Sequence, residues 1–267
     1  MPPTPRLSDT WAAGDRYEPY VGRWSRLVAR EFLAWLAIPA GKRWLDVGCG
    51  TGALSQTILD GGQPAEVVGV DLSEGFLGFA RMRAPQAQFR AGDAQALPFE
   101  DNRFDAAVSG LVINFVPDPS KAAAEMCRVV GMGGTAAAYV WDYAGDMQLM
   151  RHFWDAAVAL DPAARALDEG PRFPLCHPDA LLALWSSAGL EQPRVRAIDV
   201  PTVFKDFDDY WSPFLGGQGP APTYCMSLTE DRREQLRRRL MDALPIEADG
   251  RIALRARAFA VCGRKQG

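Results

Sequence analysis

Short runs of apolar residues alternate along the chain with segments in which apolar residues recur at helical spacing. Mainly apolar runs predict strands at 44–47, 66–71 and 104–111, and a further short strand is predicted at 88–91, before Gly-Asp-Ala. Strands that are buried on both faces are nearly continuous in apolar residues, as the three apolar runs are. The segments between the first three strands place apolar side chains three or four residues apart, which predicts helices. Strands that alternate with helices are typical of a parallel sheet covered on both faces.

The second half of the chain continues the alternation. Further strands are predicted at 135–143 and 195–204, and further helices at 120–130, 178–190 and 229–244. In the last segment, 251–263, apolar and basic residues alternate, which is typical of a half-exposed antiparallel edge strand. The whole chain is therefore expected to form one α/β domain, residues 1–267.

The first predicted strand ends in three glycines at every second position, Gly48, Gly50 and Gly52. Glycine lets the backbone turn sharply and lets a ligand approach without a Cβ atom in the way. The following helix offers free N–H groups and a partial positive charge at its start. The spacing G-x-G-x-G is one residue shorter than the dinucleotide pattern G-x-G-x-x-G, although Ala53 would satisfy that pattern's last position. The turn indicates a nucleotide-like ligand and leaves its identity open.

Acidic residues stand at or near the ends of the first three predicted strands. Asp46 precedes the first glycine by two residues, where a carboxylate repels a pyrophosphate but suits an ammonium group. Asp71 closes the second strand, and an acid there can accept hydrogen bonds from both ribose hydroxyls of an adenosine-containing ligand. Asp93 follows the third strand. Because parallel strands end at one edge of the sheet, where open α/β sheets bind ligands, we expect all three acids at one site.

The pattern from Asp46 to Gly52 resembles the first motif of class I S-adenosylmethionine-dependent methyltransferases, D-x-G-x-G-x-G. Residues 92–99 resemble the family's G-D-A-x-x-L-P-F segment. The resemblance extends over roughly residues 15–143. It implies a Rossmann-like sheet of seven strands, mostly parallel with the last strand antiparallel, flanked by helices and carrying a helical lid insertion.

The resemblance also implies which residues hold the cofactor, S-adenosyl-L-methionine. The glycine turn would hold its methionine end, Asp71 its ribose, and Asp93 the amino group of its adenine. Neighbouring residues complete the implied cofactor site: Cys49, Leu72, Ala94 and Ser109.

Segments outside the shared motifs are expected to cover the site. In related small-molecule methyltransferases the segment before the first strand often folds over the cofactor, which here implies cofactor-covering helices at 15–40. Tyr20 and Arg23 are then candidates to contact the methionine carboxylate or the substrate, since they offer a hydroxyl and a planar donor fork. Residues 142–178 and 204–245 are the expected substrate lid segments.

The implied reaction transfers a methyl group from S-adenosylmethionine to oxygen, nitrogen or carbon of a small-molecule acceptor by in-line displacement. A general base is needed only if the acceptor must lose a proton near the moment of attack. The candidates for such a base are His152, His177 and Tyr143, followed by Asp142 and Glu169. A lone histidine is more often structural or exposed than catalytic, so the sequence does not decide among them.

The composition and net charge of the chain limit which kinds of binding partner are expected. The 267 residues carry a net charge of −4, which is not the basic charge that a nucleic-acid backbone would require. The five cysteines are scattered without a C-x-x-C pair or zinc-type spacing, so we expect no metal and a reducing, cytoplasmic location. No apolar run reaches the roughly 18 residues of a membrane helix. The expected partner is a small molecule, not a nucleic acid or a membrane, and the expected state is a monomer or homodimer.

Two other functions share part of this pattern. A nicotinamide-dependent oxidoreductase would use the glycine turn and Asp71 but has no need of Asp46 or of the Gly-Asp-Ala segment. A non-catalytic protein that binds S-adenosylmethionine would keep all the cofactor motifs.

Overall fold

The computed structural model describes residues 22–217 and 219–266, so Tyr20 lies outside the described residues. The strands of this part of the chain are β1 Arg43–Val47, β2 Glu66–Asp71, β3 Gln88–Ala91, β4 Phe104–Gly110, β5 Val130–Trp141, β6 Leu190–Phe204 and β7 Ile252–Lys265. Its α-helices are α1 Arg23–Leu36, α2 Ala53–Gly61, α3 Glu74–Arg83, α4 Pro119–Val129, α5 Gln148–Leu160, α6 Glu169–Arg172, α7 Pro178–Ser187, α8 Phe207–Trp211, α9 Pro220–Ser227 and α10 Glu230–Ala243. Short 3₁₀ turns lie at Ile113–Phe115, Pro162–Ala166 and Ser212–Gly216.

These strands form one sheet in the order β3-β2-β1-β4-β5-β7-β6. β7 runs antiparallel to both of its neighbours, and the strands from β3 to β5 pair in parallel. The predicted fold class, a Rossmann-like seven-stranded sheet with a reversed last strand, is therefore confirmed. The apolar runs of β1 and β4 are buried at the centre of the sheet, where each fully buried Leu or Val side chain contributes about 1.5–3 kcal/mol.

The prediction that the last strand lies at the edge of the sheet is wrong. β7 lies between β5 and β6, and β6 forms that edge. The arginines that suggested an edge are accommodated by acids on adjacent segments: Arg255 is bound to Asp146 at 2.7 Å, and Arg257 to Asp199 at 2.7 Å. Because the positive charges are paired locally, an interior strand can carry them while Ala258 and its apolar neighbours are buried.

The two predicted lid segments pack against each other through aromatic side chains. Phe153 of α5 stacks on Phe214 at a centroid distance of 4.4 Å, and Trp154 packs against Tyr224 of α9 at 5.6 Å. Tyr210 of α8 donates its hydroxyl to the Leu149 carbonyl at 3.0 Å. Residues from the two segments thus share one helical layer. Among the described residues, no helix combines the length and apolar character that crossing a membrane would require.

Candidate functional site

A cavity of about 190 Å³ opens where the central strands of the sheet end. The turn after β1, the end of β2 and the segments that follow β4 and β5 form its walls, and α1 contributes Ser25. Five residues that the sequence nominated for cofactor binding line this one cavity: Asp46, Gly48, Cys49, Gly50 and Asp71. The expectation that acids at neighbouring strand ends meet at one site therefore holds for the first two acids.

The three glycines of the turn all adopt positive φ angles, 71° at Gly48, 52° at Gly50 and 81° at Gly52. A Cβ atom on Gly48 would lie 2.4 Å from the side chain of Val112, and one on Gly52 would lie 3.0 Å from the backbone of Ala80. A Cβ atom on Gly50 would meet nothing within 4 Å. Glycine is thus required at Gly48 and Gly52 for both conformation and space, whereas Gly50 is required for conformation.

Asp46 lines the cavity and is completely buried. The Ser55 hydroxyl donates to its Oδ2 at 2.7 Å, while its Oδ1 is buried without a hydrogen-bond partner in the described structure. Burial raises the pKa of Asp46 from 3.8 to about 7. The hydrogen bonds from the side chain and backbone of Ser55 lower this pKa and offset only part of the rise. A buried carboxylate oxygen with an unmet hydrogen-bonding capacity is costly unless a ligand supplies the donor.

The raised pKa predicts how stability depends on pH. The folded protein holds the Asp46 proton up to about pH 7, whereas the unfolded chain releases it near pH 3.8. The free energy of unfolding should therefore fall as the pH rises from about 4 to about 7. Glu169, whose pKa burial raises to about 7, acts in the same direction. Urea unfolding across this range should show a smaller fall in Asp46→Asn, and an equal fall in that variant would contradict the assignment.

The Asp71 carboxylate accepts a hydrogen bond from the glycine turn and also lines the cavity. Its Oδ2 accepts from the Gly50 N–H at 2.9 Å, and its Oδ1 accepts from the Ser73 N–H at 2.9 Å. Burial raises the pKa of Asp71, and these backbone hydrogen bonds oppose the rise. Each carboxylate oxygen retains a second lone pair, so the group can still accept hydrogen bonds from a ligand.

The remaining nominated cofactor residues do not line this cavity in the described structure. Asp93 accepts from the Gln95 backbone N–H at 2.8 Å, with Ala94 between them. Leu72 follows Asp71 with 73% of its surface exposed. Ser109 is buried in β4, one residue before the cavity residue Gly110, and its hydroxyl has no hydrogen-bond partner among the described residues.

The Arg23 side chain contacts residues that do not line the cavity. Its guanidinium is bound to Asp209 of α8 at 3.0 Å and lies over the rings of Trp24 and Phe204 at 4.4 Å and 4.8 Å. Arg23 is absent from the cavity wall and instead joins α1 to the second predicted lid segment. Its expected contact with the methionine carboxylate or the substrate stays a prediction. The contact proposed for Tyr20 stays a prediction.

Of the candidate bases, Tyr143 alone lines the cavity. His152 lies on α5, where burial lowers its pKa, and His177 is exposed at the start of α7. The Asp142 carboxylate accepts from the backbone N–H groups of Gly145 and Asp146, both at 2.9 Å, which makes it part of a turn.

Glu169 is the last of the candidate bases, and it lies outside the cavity wall. It is buried and accepts a hydrogen bond from the indole N–H of Trp154. This contact joins α6 to α5 and places the carboxyl group in the packing of the first predicted lid segment.

Sequence reasoning missed most of the apolar half of the cavity. These residues lie at the end of β5, in the segment that follows β4 or on the helices nearby: Phe76, Val112, Phe115, Tyr139, Trp141 and Met150. Tyr139 and Trp141 close β5 at the same edge of the sheet as Asp46 and Asp71. The rule that ligands bind at the carboxyl edge could have nominated them from the predicted strand ends. Within the described residues, no group of three His, Cys, Asp or Glu side chains is placed to hold a metal ion.

Comparison with known proteins places the glycine turn inside a shared domain. Residues 45–138 match the family model Methyltransf_11, described as a methyltransferase domain. A demethylmenaquinone methyltransferase of Renibacterium salmoninarum is 46% identical over 112 residues, which cover 42% of this chain and 45% of the relative. One from Paenarthrobacter aurescens is 39% identical over 112 residues, covering 42% of each protein. The chain thus spans half or less of the length of the curated relatives it matches.

Solved structures share the fold over most of the chain. The YcgJ protein of Bacillus subtilis superposes with a TM-score of 0.57 at 19% identity, covering 92% of this chain and 99% of that protein. Phosphoethanolamine N-methyltransferase 2 of Haemonchus contortus, solved with phosphomonomethylethanolamine and S-adenosylhomocysteine, superposes with a TM-score of 0.59 at 15% identity. That alignment covers 94% of this chain and 58% of the Haemonchus protein. At these identities the likeness concerns the fold alone.

Proposed function

We propose that this chain, whose residues 45–138 match a methyltransferase domain, transfers a methyl group from S-adenosylmethionine to a small-molecule acceptor. The observation that carries the proposal is the buried, partnerless Oδ1 of Asp46 beside a glycine turn. The α-ammonium group of S-adenosylmethionine would supply both the hydrogen-bond donor and the positive charge that this oxygen lacks. A pyrophosphate at the same place would instead meet a carboxylate.

The other cofactor contacts follow from the same arrangement. The open space at Gly50 admits the methionine end close to the backbone, and Cys49 lines that wall. Asp71 would accept from the ribose hydroxyls with its remaining lone pairs. Asp93 and Leu72 would contact the adenine, with Ala94 alongside, and Ser109 would support the backbone near Gly110. These roles are proposals that rest on the motif and on strand ends at one edge of the sheet.

When bound, S-adenosylmethionine supplies a methyl group on a sulfonium, which is its own leaving group. The protein's residues bind both reactants, align them for in-line attack and exclude water, and such alignment can lower the barrier by several kcal/mol. Tyr143 is the candidate base that stands where an acceptor could reach it. Residues 142–178 and 204–245 are proposed as the lid segments, because Tyr143 and Met150 of the first segment form part of the cavity wall and the second segment packs against the first through Phe214 and Tyr224.

Calorimetry with two ligands tests this function. S-adenosylhomocysteine should bind with a micromolar or lower Kd, and NAD should show no saturable binding under the same conditions. The affinity for S-adenosylhomocysteine should increase between pH 6 and pH 8, because ionised Asp46 attracts the ammonium group and its pKa is about 7. Binding of NAD in preference to S-adenosylhomocysteine would favour a nicotinamide-dependent oxidoreductase. Tight S-adenosylhomocysteine binding without methyl transfer to any of a broad panel of acceptors would favour a non-catalytic binding protein.

A further inference from the structure

A buried carboxyl group lies inside the first predicted lid segment. Glu169, the first residue of α6, is 1% exposed. Its Oε2 accepts a hydrogen bond from the indole N–H of Trp154 on α5, a side chain that is itself fully buried. A carboxylate shut away from water is costly unless opposite charge compensates it. Burial accordingly raises the pKa of Glu169 from 4.5 to about 7, so the buried group is neutral below about pH 7.

A short series of contacts joins Glu169 to the cavity wall. The Phe173 N–H donates to the Glu169 carbonyl at 3.0 Å. The ring of Phe173 packs against Phe115 at a centroid distance of 4.9 Å and against Tyr143 at 5.4 Å. Phe115 and Tyr143 both line the cavity. Movement of α6 away from α5 would therefore remove the support behind two residues of the wall.

Charges on α6 and α5 do not compensate an ionised Glu169. Asp168 raises the pKa of Glu169 and Arg172 lowers it, and both effects are smaller than that of burial. Arg151 of α5 binds both oxygens of Asp168, at 2.7 Å and 2.8 Å, and binds Asp155 at 3.1 Å. This ion pair ties the residue before α6 to α5 at a second point, about which α6 can turn when Glu169 ionises.

The other ionisable neighbours on the surrounding helices respond to pH differently from Glu169. His152 lies on α5, and burial lowers its pKa. A rise in pH removes the charge of His152 and thus favours its buried state. Tyr224 of α9 packs against Trp154, and burial raises its pKa from 10.0, so it stays neutral up to pH 8. Of these three groups, Glu169 is the one whose ionisation favours opening as the pH rises.

We propose that the neutral carboxyl group of Glu169 and the indole of Trp154 form a pH-sensitive clasp between α6 and α5, and that loss of the Glu169 proton opens it. Glu169 is then a positioning residue, because it holds Phe173 against the cavity wall only while it is protonated. The role of the clasp in loosening that wall for a ligand rests on the proposed function, whereas the clasp itself does not.

The direction of the pH effect follows from the two states of Glu169. In the open state the carboxyl group reaches water and its pKa returns toward 4.5, whereas in the closed state it is about 7. The closed state is therefore most favoured below about pH 4.5, and this advantage is lost as the pH rises to about 7. The equilibrium constant for opening should rise about tenfold for each pH unit in this range and level off above it.

Hydrogen exchange of the ligand-free, full-length protein tests the clasp. Exchange is followed by mass spectrometry from about pH 5.5 to pH 8, and the rates are corrected for the intrinsic effect of pH on exchange. In peptides from residues 148–173, the opening constant should rise at least tenfold between pH 5.5 and pH 7. Peptides from residues 111–118 should follow the same profile, because Phe173 supports Phe115. A flat profile in residues 111–118 would overturn the link to the cavity wall.

Glu169→Gln isolates the carboxyl group. Glutamine keeps an oxygen that accepts from Trp154 but cannot ionise, so the opening constant should change less than twofold over the same range. Equal pH dependence in the wild-type and Glu169→Gln proteins would overturn the proposal. If this variant does not fold, Trp154→Phe serves instead. Loss of the indole donor, which lowers the pKa of Glu169, should move the levelling-off to higher pH, and an unmoved profile would also contradict the clasp.

Asp46→Asn is the matched control, because Asp46 is a second buried carboxyl group whose pKa is about 7. This variant should keep the wild-type pH profile in residues 148–173. Loss of the profile there would show that exchange reports unfolding of the whole protein and not opening of a local clasp.

The outcomes for the clasp and for the proposed function are separate. If S-adenosylhomocysteine fails to bind while the exchange profile depends on Glu169, the methyltransferase function fails and the clasp stands. If S-adenosylhomocysteine binds and Glu169→Gln leaves the profile unchanged, only the clasp is wrong.

Discussion

Replacement of Asp71 by alanine should weaken the binding of S-adenosylhomocysteine by about 1–3 kcal/mol, or roughly 5- to 150-fold in Kd. Two effects combine in this loss. The ribose hydroxyls lose a charged acceptor, and the N–H groups of Gly50 and Ser73 lose the carboxylate that they contact at 2.9 Å each. Calorimetric titration of the wild-type and variant proteins with S-adenosylhomocysteine measures the change directly.

A second variant distinguishes ligand contact from support of the local backbone. Ser73→Ala removes the side chain that caps α3 by accepting from the Phe76 N–H, yet it leaves the Asp71 carboxylate in place. It should lower the free energy of unfolding by about 0.5–2 kcal/mol and change the ligand affinity far less than Asp71→Ala does. Unchanged S-adenosylhomocysteine affinity in Asp71→Ala would refute the ribose assignment.

Gly48→Ala should lower the free energy of unfolding by about 2–5 kcal/mol and abolish measurable cofactor binding. The left-handed conformation at φ 71° costs a residue with a Cβ atom about 1–2 kcal/mol. Insertion of the methyl group 2.4 Å from Val112 adds an overpacking cost of about 1–3 kcal/mol. Relief of this contact would displace the loop that carries Val112, which is itself part of the cavity wall. Urea unfolding and calorimetry measure the two effects.

Gly50→Ala is the matched control for Gly48→Ala. It imposes the same kind of backbone strain at φ 52°, but its Cβ atom would meet nothing within 4 Å. It should therefore cost only about 1–2 kcal/mol of stability. The double variant Gly48→Ala/Val112→Ala should regain part of the stability that Gly48→Ala loses. Equal destabilisation by the two single variants would show that the contact with Val112 is unimportant.

The part of the fold that local patterns determine was predictable from the sequence. β1, β2 and β4 have apolar runs because both of their faces are buried, and each run is followed by a turn or a helix signal. The glycine turn was equally predictable, because the positive φ angles at Gly48 and Gly52 favour glycine whatever surrounds them. Asp46 and Asp71 were placed at one site by a topological rule, since parallel strands end at the same edge.

The order of the strands across the sheet was not predictable from the local pattern of apolar and polar residues. The alternation of apolar and basic residues in β7 is the same for an edge strand and for an interior strand whose arginines are paired. Asp146 and Asp199, which neutralise Arg255 and Arg257, are distant from them in the sequence. The position of β7 depends on which strands pair with it, and its partners β5 and β6 lie far from it in the sequence.

The sequence by itself determined the end of the site that follows from backbone conformation and strand direction, namely the glycine turn with Asp46 and Asp71. Only the tertiary structure decided the other end. It paired Arg23 with Asp209, which lies 186 residues away in the chain, and Arg23 is not among the described residues that line the cavity. It also brought aromatic residues from separate segments to the cavity wall. Their hydrophobicity is the same in a core as in a binding site, and only packing determines which of their faces remain open to a ligand.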